Sequence, residues 1–218
     1  MKKLFFSFVL VATAFVNSFA YDWSIGGKVN YQNLTSKNKN SSKVADVKSY
    51  ASIAPEVAYL FNDKIDFGVG IAYVSGDSDE LLPFGDNSFL VSELETVRTY
   101  IFGEYLVASF GKMGIYIRGD MFYENGILKE NGDVGTDARS YGYGVSVAPN
   151  LQYALSDRFT LSASLNFLRA GIEYYSYKTK TSGGSHDRYG NTNIYFDCDT
   201  NNFITSLGDI TLGFSFNF

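Results

Sequence analysis

Acyl hydrolysis by a Ser-His-acid set needs a histidine within hydrogen-bond reach of its nucleophile. This chain has one histidine, His186, in the run Ser182-Gly183-Gly184-Ser185-His186-Asp187. Ser185 and Asp187 flank it, but sequence adjacency does not create triad geometry, and the run reads as a solvated polar loop. A metal site built from His186, Asp197, Cys198 and Asp199 lacks the ligand spacing of known zinc types. Asp197-Cys198-Asp199-Thr200-Asn201 also lacks the Gly and the terminal Glu of a calcium loop. Gly142-Tyr143-Gly144 is no phosphate cradle, because it sits within a strand pattern and no helix follows. No catalytic residue, metal or cofactor is therefore expected. What remains is a set of charges spread along the chain: Lys28, Arg98 and Arg118 against Glu56, Glu104, Asp120 and Asp209. Their shared feature is parity, since each falls on the polar side of an alternating segment. They read as an ion-pair network inside a closed barrel.

The elements that would position those charges are strands. Eight segments alternate apolar and polar residues, at about 22–33, 48–61, 65–75, 93–108, 113–124, 139–155, 159–177 and 203–218. In the last, Ile210, Leu212, Phe214, Phe216 and Phe218 oppose Asp209, Thr211, Gly213, Ser215 and Asn217. The seventh loses its parity near Arg169, which predicts a bulge. Three connections are tight: Asn62-Asp63-Lys64, Ser109 to Lys112, and Ser156-Asp157-Arg158. The other four, about 34–47, 76–92, 125–138 and 178–202, are long and polar and read as surface loops. The longest, 178–202, carries Tyr189, Tyr195 and Phe196 and is the expected surface for an extracellular partner. An imperfect repeat, Ala54 to Lys64 against Ala148 to Arg158, marks two equivalent strand-and-turn units.

Composition narrows the class. The chain has 218 residues, 17% aromatic and only 19% charged, with a net charge of −5. That balance argues against a general nucleic-acid binder, which needs a basic face. Met1-Lys2-Lys3, the apolar run from Leu4 to Val16, and Ser18-Phe19-Ala20 have the order of a cleavable signal peptide. The expected division is a signal peptide at 1–20 and one barrel domain at 21–218. The single Cys198 provides no disulfide framework for an exported protein.

Periodicity alone does not say whether the apolar faces point inward or outward. Aromatic placement favours outward. Trp23, Tyr59, Phe61, Tyr105, Tyr153, Phe159, Phe216 and Phe218 gather at the short-turn end, and Tyr31, Tyr73, Tyr123, Tyr141 and Tyr175 at the long-loop end. Two such belts are expected of a membrane barrel. The final residues, Thr211-Leu212-Gly213-Phe214-Ser215-Phe216-Asn217-Phe218, resemble the carboxy-terminal assembly signal of outer-membrane proteins, with Thr211, Gly213, Phe216 and Phe218 at its fixed places.

From Tyr21 to Phe218 the chain resembles the eight-stranded outer-membrane barrels of the OmpA, OmpX and Ail-like kind, with no motif that assigns a single branch, and the resemblance is expected to be to their barrel-only members. The resemblance implies an all-β, antiparallel, up-and-down transmembrane barrel in the cell outer membrane. It implies contact with membrane lipid and lipopolysaccharide, and recognition by the barrel assembly machinery. The role expected is non-enzymatic, with four loops presented for surface interaction or envelope structure. Two alternatives stay open at this stage. One is a lipid A-modifying enzyme of the same architecture; the other is a soluble periplasmic lipocalin-like binder with an apolar interior.

Overall fold

The computed structural model describes residues 22–35, 47–84, 87–130, 138–180, 186–196 and 210–218. The proposed signal peptide, Cys198 and its flanking aspartates, and Asp209 lie outside them. Ten strand segments follow one another: β1 (Trp23–Thr35), β2 (Val47–Asn62), β3 (Ile65–Phe84), β4 (Asn87–Phe110), β5 (Met113–Glu130), β6 (Ala138–Ala154), β7 (Phe159–Leu165), β8 (Ala170–Lys180), β9 (His186–Phe196) and β10 (Ile210–Asn217). All pairings are antiparallel. Each of β1 to β6 pairs with its sequence neighbour, and β10 returns to pair with β1.

The ten segments make eight walls. A single 3-10 turn, Asn166–Leu168, interrupts the seventh wall. Below it β7 pairs with β6 through residues 150–154, and above it β8 pairs with β6 through residues 139–147. The eighth wall is β9 against β8 and β10 against β7. The parity lost near Arg169 in the sequence is this turn.

The register shows that the sheet closes on itself. Stepping across paired residues from Val29 through Ile53, Tyr73, Val97 and Asn125 reaches Tyr141 on β6. Stepping the other way through Leu212 and Ala163 reaches Leu151 on the same strand. Those two residues are ten positions apart, which is the stagger of the barrel. Such a stagger goes with strands tilted by roughly 35–45° to the barrel axis.

The short connections hold the end that both described termini share. Asn62 Oδ1 accepts hydrogen bonds from the backbone N–H of Lys64 and Ile65, at 2.9 and 3.0 Å. Ser156 Oγ does the same for Arg158 and Phe159. The third turn uses Gly111 at φ 59°, a left-handed conformation open to glycine without strain. At the opposite end the strands outrun the sequence expectation. Residues 76–92 are not a loop: β3 and β4 stay paired as far as Phe84 and Asn87. The segment 178–202 likewise contains β9. Consecutive apolar residues at 81–84 and 89–91, and consecutive polar ones along most of β9, break the period-2 signal on which strand recognition rests.

Side chains sort by parity into an apolar outside and a polar inside. One ring of paired positions runs through Ile172, Val145, Met121, Ile101, Val69, Val57 and Ile25. Among them Ile101, Met121 and Val69 are each more than half exposed. Inward positions hold Arg118, Glu104 and Asn150, exposed by only 3%, 6% and 1%. A water-soluble lipocalin-like barrel would show the reverse, so that alternative is overturned. Burying charge while exposing isoleucine is stable only where the surroundings are lipid.

Aromatics frame the band. Tyr59, Phe61, Tyr105 and Tyr153 are outward at the short-turn end, with Trp23 against Tyr59 at 5.2 Å. Tyr31, Tyr73, Tyr123 and Tyr143 are outward at the other. On β6 the distance from Tyr143 to Tyr153 is ten residues, about 33 Å of strand and about 25 Å of height at that tilt. This is the height of the apolar band in outer-membrane-type barrels. Tyr175, expected in the upper belt, instead faces the lumen. The 3-10 turn shifts the parity of β8, and Tyr174 takes the outer place, its ring 5.2 Å from that of Tyr143.

Candidate functional site: a charged layer across the lumen

Arg118, on β5, stands at the centre of the interior. Its Nη2 lies 2.8 Å from Glu56 Oε1, its Nη1 3.0 Å from Glu104 Oε1, and its Nε 2.9 Å from Asp120 Oδ1. All three guanidinium nitrogens are engaged, an arrangement that the planar fork of arginine supports and a lysine ammonium does not. The guanidinium carbon also sits 3.7 Å from the centroid of the Phe102 ring, close enough for a cation–π contribution.

Each carboxylate has further partners. Tyr100 Oη donates to Glu56 at 2.8 Å, and Lys28 Nζ lies 3.8 Å from the same carboxylate. Glu104 accepts from Asn150 Nδ2 at 3.0 Å and from Gln152. Asn150 Oδ1 accepts from Ser164 Oγ, and Ser164 Oγ accepts from Lys28 Nζ at 3.3 Å. The network therefore runs from β1 through β2, β4, β5 and β6 to β7. Local sequence makes room for it. Gly68 and Gly70 on β3 lie beneath the rings of Phe102 and Tyr100, where any Cβ would collide with them. Those two glycines let the rings fold inward onto Arg118.

Two cavities meet at this layer. One, about 370 Å³, opens toward the short turns and is lined by Asp22, Asp63, Asp66, Tyr116, Gln152 and neighbours. The other, about 200 Å³, lies above and is lined by Ser52, Arg98, Asp120, Ser146 and Arg169 among others. Lys28 and Glu56 line both. The lumen is thus two chambers separated by a bonded charge layer.

Of the residues expected in the network, Lys28, Glu56, Glu104, Arg118 and Asp120 come together. Arg98 does not join them. It belongs to a second layer nearer the long-loop end, with Nε 2.8 Å from Glu124 and Nη2 donating to Tyr175 Oη at 3.3 Å. Tyr195, on β9, donates to Glu173 at 2.9 Å, and Arg169 packs over the Tyr195 ring at 4.7 Å. Glu124, Glu173, Tyr175 and Tyr195 were not read from the sequence as network members. Glu124 was legible, since it shares the inward parity of Arg118 and Asp120. The other three lie beyond the 3-10 turn or within the segment read as a loop.

The terminal strand places Thr211 and Gly213 inward and Phe216 outward. Thr211 Oγ1 accepts from Asn30 and Asn166, at 3.2 and 2.9 Å. A Cβ on Gly213 would crowd Ser162 and the stem of Lys28. Phe218 packs on Phe216 at 5.0 Å and donates its backbone N–H to Trp23 O at 2.9 Å. His186 is the first residue of β9, opposite Lys180, and is not part of a loop. Among the described residues no group of three or more His, Cys, Asp or Glu is placed to hold a metal ion.

No protein-family model matches the chain, and no curated protein does. Among solved structures it is similar to a major outer membrane protein from Thermus thermophilus, at 10% identity and a TM-score of 0.47, over 92% of this chain and 100% of that one. It is also similar to Neisserial surface protein A, at 13% identity and a TM-score of 0.40, over 90% of this chain and 96% of that one. The barrel assignment rests on the register and the sorting of charge described above, independently of these likenesses.

Proposed function

We propose that the protein is a non-enzymatic integral outer-membrane barrel that anchors a surface-exposed sheet and loops, with its own lumen closed by the Arg118 layer. The observation that carries this reading is the inversion of polarity: ion pairs inside, an apolar band with two aromatic edges outside. β3 and β4 remain paired to Phe84 and Asn87, eleven residues beyond Tyr73. That is about 35 Å of strand past the upper belt, so the hairpin stands clear of the bilayer. It offers a surface for an extracellular partner, while β9, paired with β8 and turning Tyr195 inward, serves the wall. Recognition of β10 by the barrel assembly machinery, through Thr211, Gly213, Phe216 and Phe218, belongs to the same reading.

Fractionation tests it. The protein should stay in the outer-membrane pellet after an alkaline carbonate wash, and should migrate faster on a gel unheated than boiled. Release into the wash without detergent would refute the membrane assignment. Conductance of stable single channels by the wild-type protein would refute the closed lumen.

A further inference from the structure

Two cations face each other on the barrel exterior. Arg139 on β6 is directly opposite Lys178 on β8, and Lys178 is opposite Arg188 on β9. Arg139 is exposed and Lys178 half-buried. Both share the outward parity of Tyr143 and Tyr174, which lie four residues closer to the membrane on the same two strands. Like charges directly opposite on paired strands destabilise a sheet. Among the described residues no acid neighbours the pair on this face, where Ile127, Tyr141 and Ser176 adjoin it, and neither cation has an ion-pair partner. The nearby Lys129 differs, because it is bonded to Glu93 at 2.8 Å and to Glu95 at 3.3 Å. The outward rim thus has a sector on β4 and β5 where the cation is held by two acids and an uncompensated basic one on β6 and β8.

Position decides what compensates it. The pair stands about 13 Å along the strand above the Tyr143–Tyr174 step, about 10 Å in height at the barrel tilt. That is headgroup depth, where the anions are lipid phosphates. We propose that Arg139 and Lys178 bind the phosphate of a lipid in the leaflet on the long-loop side of the membrane. A phosphate oxygen bridging a guanidinium and an ammonium removes their repulsion, and the tyrosine pair below packs the lipid's apolar part. The proposal rests on the membrane reading above.

Native mass spectrometry of the folded protein in detergent tests it, titrating with bisphosphoryl lipid A, the same lipid stripped of both phosphates, or inorganic phosphate. Bisphosphoryl lipid A should bind best. Arg139→Gln or Lys178→Gln should each weaken it about 5-fold, and the double variant about 25-fold. Lys129→Gln should leave it unchanged. Equal binding of the phosphate-free lipid, wild-type affinity in the double variant, or the same loss in Lys129→Gln would overturn the proposal. Inorganic phosphate binding as tightly as the lipid would overturn the lipid as its source. A protein that keeps its heat-modifiable migration yet ignores the double substitution loses this site alone. One that also washes off the membrane loses the underlying reading as well.

Discussion

Replacing Arg118 with Ala should lower the unfolding free energy in lipid vesicles by about 3–5 kcal/mol, the cost of leaving buried carboxylates without their cation. Glu56, Glu104 and Asp120 all bond to this one side chain, which is 4% exposed. The chambers above and below admit water that could hydrate the orphaned carboxylates, and this places the loss toward the lower end of the range. Arg118→Lys should recover only part of it, because one ammonium cannot reproduce three directed contacts. A layer neutralised throughout, with Arg118→Met, Glu56→Gln, Glu104→Gln and Asp120→Asn, should be more stable than the Ala variant. What costs energy is an uncompensated charge rather than the lack of an ion pair. The Ala variant should also join the two chambers and give measurable conductance in a planar bilayer. A loss below about 1 kcal/mol, as expected of a solvent-exposed ion pair, would show that the layer does not brace the barrel.

Ile101→Lys should cost about 2–4 kcal/mol in a bilayer, the penalty for lysine on the lipid face near the midplane. Ile101 is 55% exposed and sits midway along β4 between the row of Tyr73 and Val97 and the belt residue Tyr105. In a water-soluble protein, the same change at so open a position would be worth less than about 0.5 kcal/mol. Tyr31→Lys, in the upper belt on β1 and 64% exposed, with the uncharged Ala51 opposite it, should cost only about 0–1 kcal/mol. Urea titrations of the two variants in the same vesicles measure the difference, and a depth-independent cost would contradict a lipid-facing band.

Parity carried most of what the sequence disclosed. Arg118, Glu104 and Asp120 are legible as lumen residues because each alternates with outward apolar neighbours such as Ile117, Met121 and Tyr105. The eight walls were legible from the alternating segments and from three tight turns interleaved with four long connections. The same rule misleads wherever a strand gains residues. Asn166–Leu168 inserts a turn, and Tyr175 crosses from the outside to the lumen. It is silent where alternation lapses: Leu81-Leu82-Pro83-Phe84 and Phe89-Leu90-Val91 are apolar without a break in the β3–β4 extension, and most of β9 is polar at consecutive positions, which is why both read as loops. Partnering within the lumen was out of reach for another reason. Arg98 faces Glu124 and Arg118 faces Glu104 directly across the β4–β5 pair, a register set by the bulge between Leu106 and Ala108, and Glu56 reaches Arg118 from β2, a strand that is not its neighbour.

A membrane barrel requires the apolar face to lie in lipid. The single tryptophan, Trp23, packed on the outward Tyr59, reports on it without any label. In vesicles made with lipids brominated at successive acyl depths, its fluorescence should be quenched most by bromines nearest the headgroup and least by those at the chain ends. Indifference to every brominated lipid, together with full quenching by an aqueous quencher, would contradict a membrane-embedded barrel.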